Sequence, residues 1–410
     1  MRFLFGDYAL DLERRELRRG AELVEVEPQV FDLLAYLVEN RDRVASKDDL
    51  LAAVWHGRIV SESTLTSRIT AARQAIGDSG EQQRFIRTVS RRGFRFVGEV
   101  REQSAASSAG TRDHKPAHEK PAQEKPAQEV SFCRTSEGIN LAVAVCGKGL
   151  PVVKAANWMN HVEFDWQSPV WSPLLTRLAA QFRLIRYDER GTGLSDWNVA
   201  DLSFETFVHD LETVADALDL RRFALFGNAQ GAAVAIAYAV RHPERVSRLV
   251  LSGGYAQGWR ARGNPAEIEG RKALLRLVRV GWGRDNPAFR QVFTSLMIPG
   301  ATLEQAQSVN DLQRVSTSPE NAARLLQAFG DIDVTQLLPR VAAPTLVLHS
   351  RGDAPCPFEQ GLLLAREIPN ARFVALESHN NVILSHEPSW GRFVHEVCAF
   401  LDENGGSTSA

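Results

Sequence analysis

After extended N-terminal segments, the apolar positions of this chain fall into helical spacing. Val30, Leu33, Leu34 and Leu37 mark one face of a helix opening near Pro28, a residue tolerated in a first turn. A second helix is predicted from Ser46 towards Trp55, with Asp49 three residues after the serine as a variant capping box. A third opens near Ser61 or Glu62. In it Leu65, Ile69, Ala72 and Ile76 bury one stripe, which turns Ser63, Ser67, Thr70 and Gln74 the opposite way and leaves Arg68 and Arg73 flanking them. Residues from Phe85 to Val97 then alternate around a turn at Arg91-Arg92-Gly93, as in a hairpin.

From Val130 onward strands alternate with helices, the pattern of a mostly parallel α/β fold. The predicted strands are Ile139 to Val145, Val152 to Ala155, Phe182 to Tyr187, Phe223 to Phe226, Leu249 to Ser252, Thr345 to Ser350 and Arg372 to Leu376, with a helix from about Glu359 between the last two. A largely helical stretch from about 255 to 335 interrupts the alternation and is expected to form a cap over the sheet. Between the two patterned regions the large apolar residues disappear, and the stretch ends in the repeats Lys115-Pro-Ala-His-Glu, Lys120-Pro-Ala-Gln-Glu and Lys125-Pro-Ala-Gln-Glu. Regular prolines forbid a continuous helix, and nothing apolar offsets the ordering entropy. The expected organisation is a domain at 1–100, a flexible linker at 101–129, a second domain at 130–404 and a disordered tail at 405–410.

The 410 residues suit a modular protein, and 44% hydrophobic with 24% charged residues are globular values. A formal net charge of −2 excludes binding to nucleic acid through bulk positive charge, but the charge is segregated. Residues 1 to 67 hold 9 Lys and Arg against 13 Asp and Glu, whereas Arg68 to Arg95 hold 7 arginines against Asp78 and Glu81. Alone, the polar face of the third helix is equally a solvated surface or a base-reading surface; the local basic excess and a basic hairpin tip beside it favour DNA. Cys133, Cys146, Cys356 and Cys398 are scattered, so buried thiols are expected, with no metal site and no cofactor. The N-terminus lacks an apolar targeting segment and no run is long enough to span a bilayer; the expectation is a cytoplasmic protein with no membrane partner.

The first domain resembles the DNA-binding domain of the OmpR/PhoB winged-helix family over about 95 residues. Glu27-Pro28-Gln29-Val30-Phe31-Asp32-Leu33-Leu34, Arg43-Val44-Ala45-Ser46-Lys47-Asp48-Asp49-Leu50, Val54-Trp55, Ile86-Arg87-Thr88-Val89 and Gly93-Phe94-Arg95-Phe96 carry the resemblance. It implies a winged helix-turn-helix whose third helix enters the major groove of a double-stranded operator while the wing tip, with Arg91 and Arg92, reaches the minor groove. With no receiver domain ahead of it in this sequence, the regulating signal is expected from the rest of the chain or from a partner.

In the second domain, Leu225-Phe226-Gly227-Asn228-Ala229-Gln230-Gly231-Ala232-Ala233 reads as a strand, a tight glycine turn and a small-residue helix. With Asp188-Glu189-Arg190-Gly191-Thr192-Gly193-Leu194-Ser195, His242-Pro243-Glu244-Arg245-Val246 and Pro344-Thr345-Leu346-Val347-Leu348-His349, it makes about 270 residues resemble the α/β-hydrolase fold. The resemblance implies a nucleophile at position 229, an acid at Asp353 and a base in the loop Leu376 to Leu384. The nucleophile position holds Ala229, whose methyl group cannot attack a carbonyl, and the base position aligns with Asn381, whose amide cannot accept a proton near neutral pH. His379 is a candidate substitute, and His386 is expected to be structural. An engineered replacement of the nucleophile is an alternative reading of Ala229, but two departures in one triad favour a natural, catalytically degenerate domain that is not an enzyme.

Such a domain can still bind. Backbone N–H groups of Gln230 and of the Ala156-Asn157-Trp158 turn take the family's oxyanion-hole positions, and Asp353 with Asn381 is expected to form a recognition pair. Trp158, Met159, Trp166 and Tyr255 are candidate lining residues, joined by Trp259, Trp282, Phe289, Phe293, Met297 and Phe329 from the inserted segment; core packing explains each of them equally well. His161 and His209 read as structural. The expected whole is a one-component transcriptional regulator, paired as a homodimer, in which a small organic ligand replaces phosphorylation as the signal. The alternatives are a DNA-tethered esterase or lactonase and a protein-docking module.

Overall fold

A computed structural model describes residues 2–12, 15–20, 22–24, 26–41, 44–47, 49–50, 54, 62–80, 82–89, 93–98, 100–103, 126–284 and 286–403. The chain divides into two compact units, residues 1–119 and 120–410.

In the first unit, strands β1 (Arg2–Phe5), β2 (Tyr8–Asp11), β3 (Glu16–Arg19) and β4 (Glu22–Val24) form an antiparallel sheet, a hairpin joins β5 (Ile86–Val89) to β6 (Gly93–Phe96), and β7 (Arg101–Gln103) pairs with β1. Helix Pro28–Glu39 places Val30, Leu33, Leu34 and Leu37 in the core, where they meet Leu65, Ile69 and Ala72 of helix Glu62–Ala75 and Ile76 in the turn after it. Lys47, Asp49, Leu50 and Val54 are helical; the rest of the expected second helix, Trp55 included, lies outside the described residues. Its start is capped reciprocally, since Asp49 N–H donates to Ser46 Oγ and Ser46 N–H to Asp49 Oδ2, both at 3.0 Å. Gly93 closes the unit: its φ is +135°, and a Cβ there would sit 2.0 Å from the Ala45 carbonyl oxygen, because Ala45 and Phe94 exchange backbone hydrogen bonds.

The expected linker is shorter than its composition suggests. Residues 101–103 form β7, and residues 128–129 open β8 (Gln128–Arg134), which runs antiparallel to β9 (Asn140–Cys146). A ladder of backbone hydrogen bonds does not require apolar side chains, so composition misplaced both ends. Residues 104–125, with most of the repeat, and the expected tail lie outside the described residues.

The second unit is built on an eight-stranded sheet in the order β15-β14-β13-β12-β10-β11-β9-β8. Its remaining strands are β10 (Pro151–Lys154), β11 (Arg183–Tyr187), β12 (Phe223–Asn228), β13 (Val246–Ser252), β14 (Thr345–Ser350) and β15 (Ala371–Leu376). Pairing is parallel from β11 through β10, β12, β13 and β14 to β15, and antiparallel at β9 and β8. β12 and β14 are buried along their whole length, as strands covered by helices on both faces must be. Helices Pro265–Gly281, Ala288–Met297, Leu303–Ser316 and Pro319–Asp331 make up the insertion between β13 and β14. The Asp188–Ser195 segment serves the architecture: Asp188 accepts from Asn160 Nδ2, Val162 N–H and Leu194 N–H at 2.7–2.9 Å, and Arg190 grips Asp210 through Nε and Nη2.

Candidate functional site

Helix Glu62–Ala75 leaves Ser67, Thr70 and Gln74 exposed, and Ser63 lies one turn earlier on the same helix. Two flanking arginines behave differently from expectation. Arg73 is buried; its guanidinium donates to the Ile86 carbonyl at 2.8 Å and to Thr88 Oγ1 at 3.0 Å, so it ties the helix to β5 instead of facing solvent. Its position borders the apolar stripe, and the long side chain turned inwards to satisfy backbone oxygen. Arg68 is partly exposed and pairs with Glu27. Arg91 and Arg92 lie outside the described residues. Below the helix, Asp78 accepts from the N–H groups of Ser79, Arg84, Phe85 and Ile86. Burial alone raises its pKa, but these four donors outweigh burial and hold the carboxyl below the usual range.

In the second unit, the turn between β12 and helix Gln230–Arg241 is held by close packing. A Cβ on Gly227 would lie 2.6 Å from Ala232 Cα, and one on Gly231 would lie 2.6 Å from the Ala156 carbonyl oxygen. Ala229 sits at the apex with φ +49° and ψ −123°, the strained conformation that projects this residue from the sheet. Gln230 opens the helix, so its backbone N–H has no intrahelical acceptor. Asp353 follows β14 and Asn381 follows β15; Asn381 Nδ2 donates to Asp353 Oδ2 at 2.7 Å and to the Gly253 carbonyl at 3.1 Å. Cys356 N–H gives Asp353 a further bond at 2.9 Å. Burial pushes the Asp353 carboxyl up to about 7, against the pull of those two donors.

Beside this turn lies a cavity of about 80 Å³. Trp158, Tyr255, Trp259, Phe293, Met297 and Phe329 supply its apolar wall, with Ala229, Gln230, Asn381, Cys356, Arg262 and Arg271 among the other contacts. Asn157, expected in the pocket, is consumed elsewhere: its Oδ1 accepts from Lys154 and its Nδ2 donates to the Trp158 carbonyl. Trp282 packs behind Trp158 at 5.5 Å between ring centroids and is a core residue, while Trp166 against Arg186 and Phe289 over Gly281 are half-buried outside the cavity; Met159 is buried outside it. His379 is exposed and packs on Gly352, while His386 contacts the Gly300 carbonyl; among the described residues no histidine lines the cavity. Sequence reasoning missed the basic contacts Arg262 and Arg271 because their spacing along a cap helix and its approach carries no signature until the cap is folded. It also missed His349, fully buried with Nε2 on the Cys356 carbonyl at 2.7 Å.

A sheet with this order, a strained turn after β12 and an acid after β14 define an α/β hydrolase. The chain belongs to that family: residues 164–384 match the family described as "alpha/beta hydrolase fold". Residues 20–96 match the family described as "Transcriptional regulatory protein, C terminal", so a DNA-binding regulatory domain precedes the hydrolase domain. Among known proteins, the chain is similar to a "Putative carbamate hydrolase RutD" of Caulobacter sp. (strain K31), 30% identical over 206 residues that span 49% of this chain and 74% of that protein. It is also similar to the "AB hydrolase superfamily protein YisY" of Bacillus subtilis (strain 168), 28% identical over 59% of this chain and 89% of that one. Among solved structures, a hydrolase from Pseudomonas aeruginosa PA01 superposes with a TM-score of 0.55 at 25% identity, covering 66% of this chain and 98% of its own. The expectation that the domain is not an enzyme is corrected by these relatives, whose names are those of hydrolases. The physical reason is that two altered side chains do not dismantle the fold, the helix start at Gln230 or the buried Asp353 carboxyl.

Proposed function

We propose that this chain is a transcriptional regulator whose α/β-hydrolase domain takes a small organic carbonyl compound as its ligand, and that occupancy of the pocket sets the affinity of a paired winged helix for its operator. One observation carries the reading: the cavity beside Ala229 is apolar on most sides, yet its lining includes Gln230, 1% exposed and first in its helix, whose backbone N–H has no intrahelical acceptor. A buried donor left unpaired costs about 1–3 kcal/mol, which an oxygen of the ligand recovers. Trp158, Tyr255, Asn381 and the Gln230 backbone N–H complete the contacts, with Asp353 holding Asn381 from behind. Ser63, Ser67, Thr70 and Gln74 read the major groove, with Arg68, Arg91 and Arg92 on the phosphates. Two copies acting together place two such helices on half-sites, so that ligand works through their spacing.

A second reading is favoured by the relatives' names and by the Asp353 carboxyl near 7: the same compound is hydrolysed by direct attack of water, with Asp353, one side chain behind the cavity wall, as proton acceptor and no acyl-enzyme. The test is operator affinity of the full chain by fluorescence anisotropy, with short esters, lactones and acids added, while the fate of each compound is followed by chromatography. A compound that shifts affinity by about 5-fold or more supports the regulatory reading. Consumption of that compound, abolished by Asp353→Asn, selects the second. If no compound moves the affinity, the coupling is wrong.

A further inference from the structure

The charge at the mouth of this cavity is not balanced. Arg262 donates to Glu267 through Nε and Nη2 and to the Gln257 carbonyl through Nη1 at 2.7 Å, so every terminal group of that side chain is engaged. Arg271, one turn beyond Glu267 on the same cap helix, reaches that carboxylate only at 3.7 Å and spends one nitrogen, Nη2, on the Pro355 carbonyl at 3.0 Å. Two guanidinium groups therefore share one carboxylate, which leaves a net positive charge lining an otherwise aromatic pocket. Asp353 offsets it only in part, since burial pushes its carboxyl up to about 7, against the pull of Arg271, Asn381 and the Cys356 N–H. The lining also includes Gln230, the first residue of a twelve-residue helix whose N-terminus favours negative charge.

We propose, resting on the ligand-binding reading above, that the occupant is a short-chain organic carboxylate, its anionic end drawn by Arg271 and its tail against Trp158, Phe293 and Phe329. Size supports the short chain. A cavity of about 150 Å³ holds benzene, and this one is about half of that. A neutral ester fits the aromatic wall equally well but leaves the Arg271 charge without a counter-ion, so discrimination between acid and neutral isostere is the distinguishing property.

The experiment is a titration of the full chain, read by tryptophan fluorescence because Trp158 and Trp259 line the cavity, with acetate through hexanoate, their amides and their methyl esters. The expected result is that a carboxylate binds about tenfold or more tightly than its amide or ester, that Arg271→Gln removes the preference, and that Arg271→Lys, which keeps the charge, retains it. Equal or tighter binding of the amide or ester in the unaltered chain, or a preference that survives Arg271→Gln, overturns the carboxylate assignment while leaving a carbonyl ligand in place. If acids, amides and esters all fail to bind, the ligand-binding reading falls together with it.

Discussion

Asp353 carries the clearest consequence at the scale of a single residue. Its folded pKa, about 7, lies above the unfolded value of 3.8, so the folded chain holds a proton that the unfolded chain releases. The stabilisation is present below about pH 4 and is lost as pH rises through 7. Asp165, Asp188 and Glu189 are pushed up in the same direction by burial, so the unaltered chain keeps part of the slope whatever happens at 353. The difference between chains isolates Asp353: urea unfolding at pH 5 and pH 8 should show Asp353→Asn losing about 1–3 kcal/mol less than the parent over that range. Parallel pH curves would remove the buried, proton-holding carboxyl from the description. Arg73 gives a second test. Because its guanidinium is spent on Ile86 and Thr88, Arg73→Ala should destabilise the first unit by about 1–3 kcal/mol while leaving the salt dependence of DNA binding unchanged. A shallower salt slope with unchanged stability would return Arg73 to the DNA surface.

Elements were legible where a local rule forces a geometry. The reciprocal Ser46 and Asp49 cap, the buried stripe of helix Glu62–Ala75 and the mostly apolar, fully buried β12 and β14 all follow from spacing and side-chain chemistry within a few residues. The strained turn at Ala229 was legible for the same reason, since Gly227 and Gly231 stand where a Cβ would strike backbone. Gly231→Val should therefore prevent folding of the second unit, with loss of its cooperative melting transition in calorimetry; a native-like transition would mean that the turn has more room than its packing allows. What stayed hidden depends on the tertiary fold: β7 and β8 have polar strand sequences, Arg73 chose the core side of its helix, and Arg271 reaches the cavity only through the folded cap. Asn381 stands where its Nδ2 meets Asp353, so a histidine there would have its ring N–H on the acid. The double replacement Ala229→Ser with Asn381→His should thus show a burst of product from p-nitrophenyl acetate, the mark of an acyl-enzyme, and neither single replacement should. A burst in the Ala229→Ser chain alone would show that another group acts as base.

On the proposed function, a signal in one unit of the molecule reaches DNA held by the other on terms that free energy sets. A ligand shifts operator affinity only by its differential affinity for the DNA-competent and incompetent states, and the coupling is reciprocal: operator DNA must change ligand affinity by the same factor. Fluorescence titration of ligand with and without saturating operator should therefore return the ratio found when DNA is titrated with and without ligand. Typical couplings correspond to about 5–150-fold. Salt separates this effect from nonspecific charge. Phosphate contacts by basic side chains give log affinity a negative slope against log salt, roughly 0.9 per contact, and a ligand acting through the spacing of two recognition helices lowers affinity for a paired half-site while leaving that for a single half-site unchanged. An equal loss on both would place the ligand's effect within one winged helix and remove pairing from the mechanism.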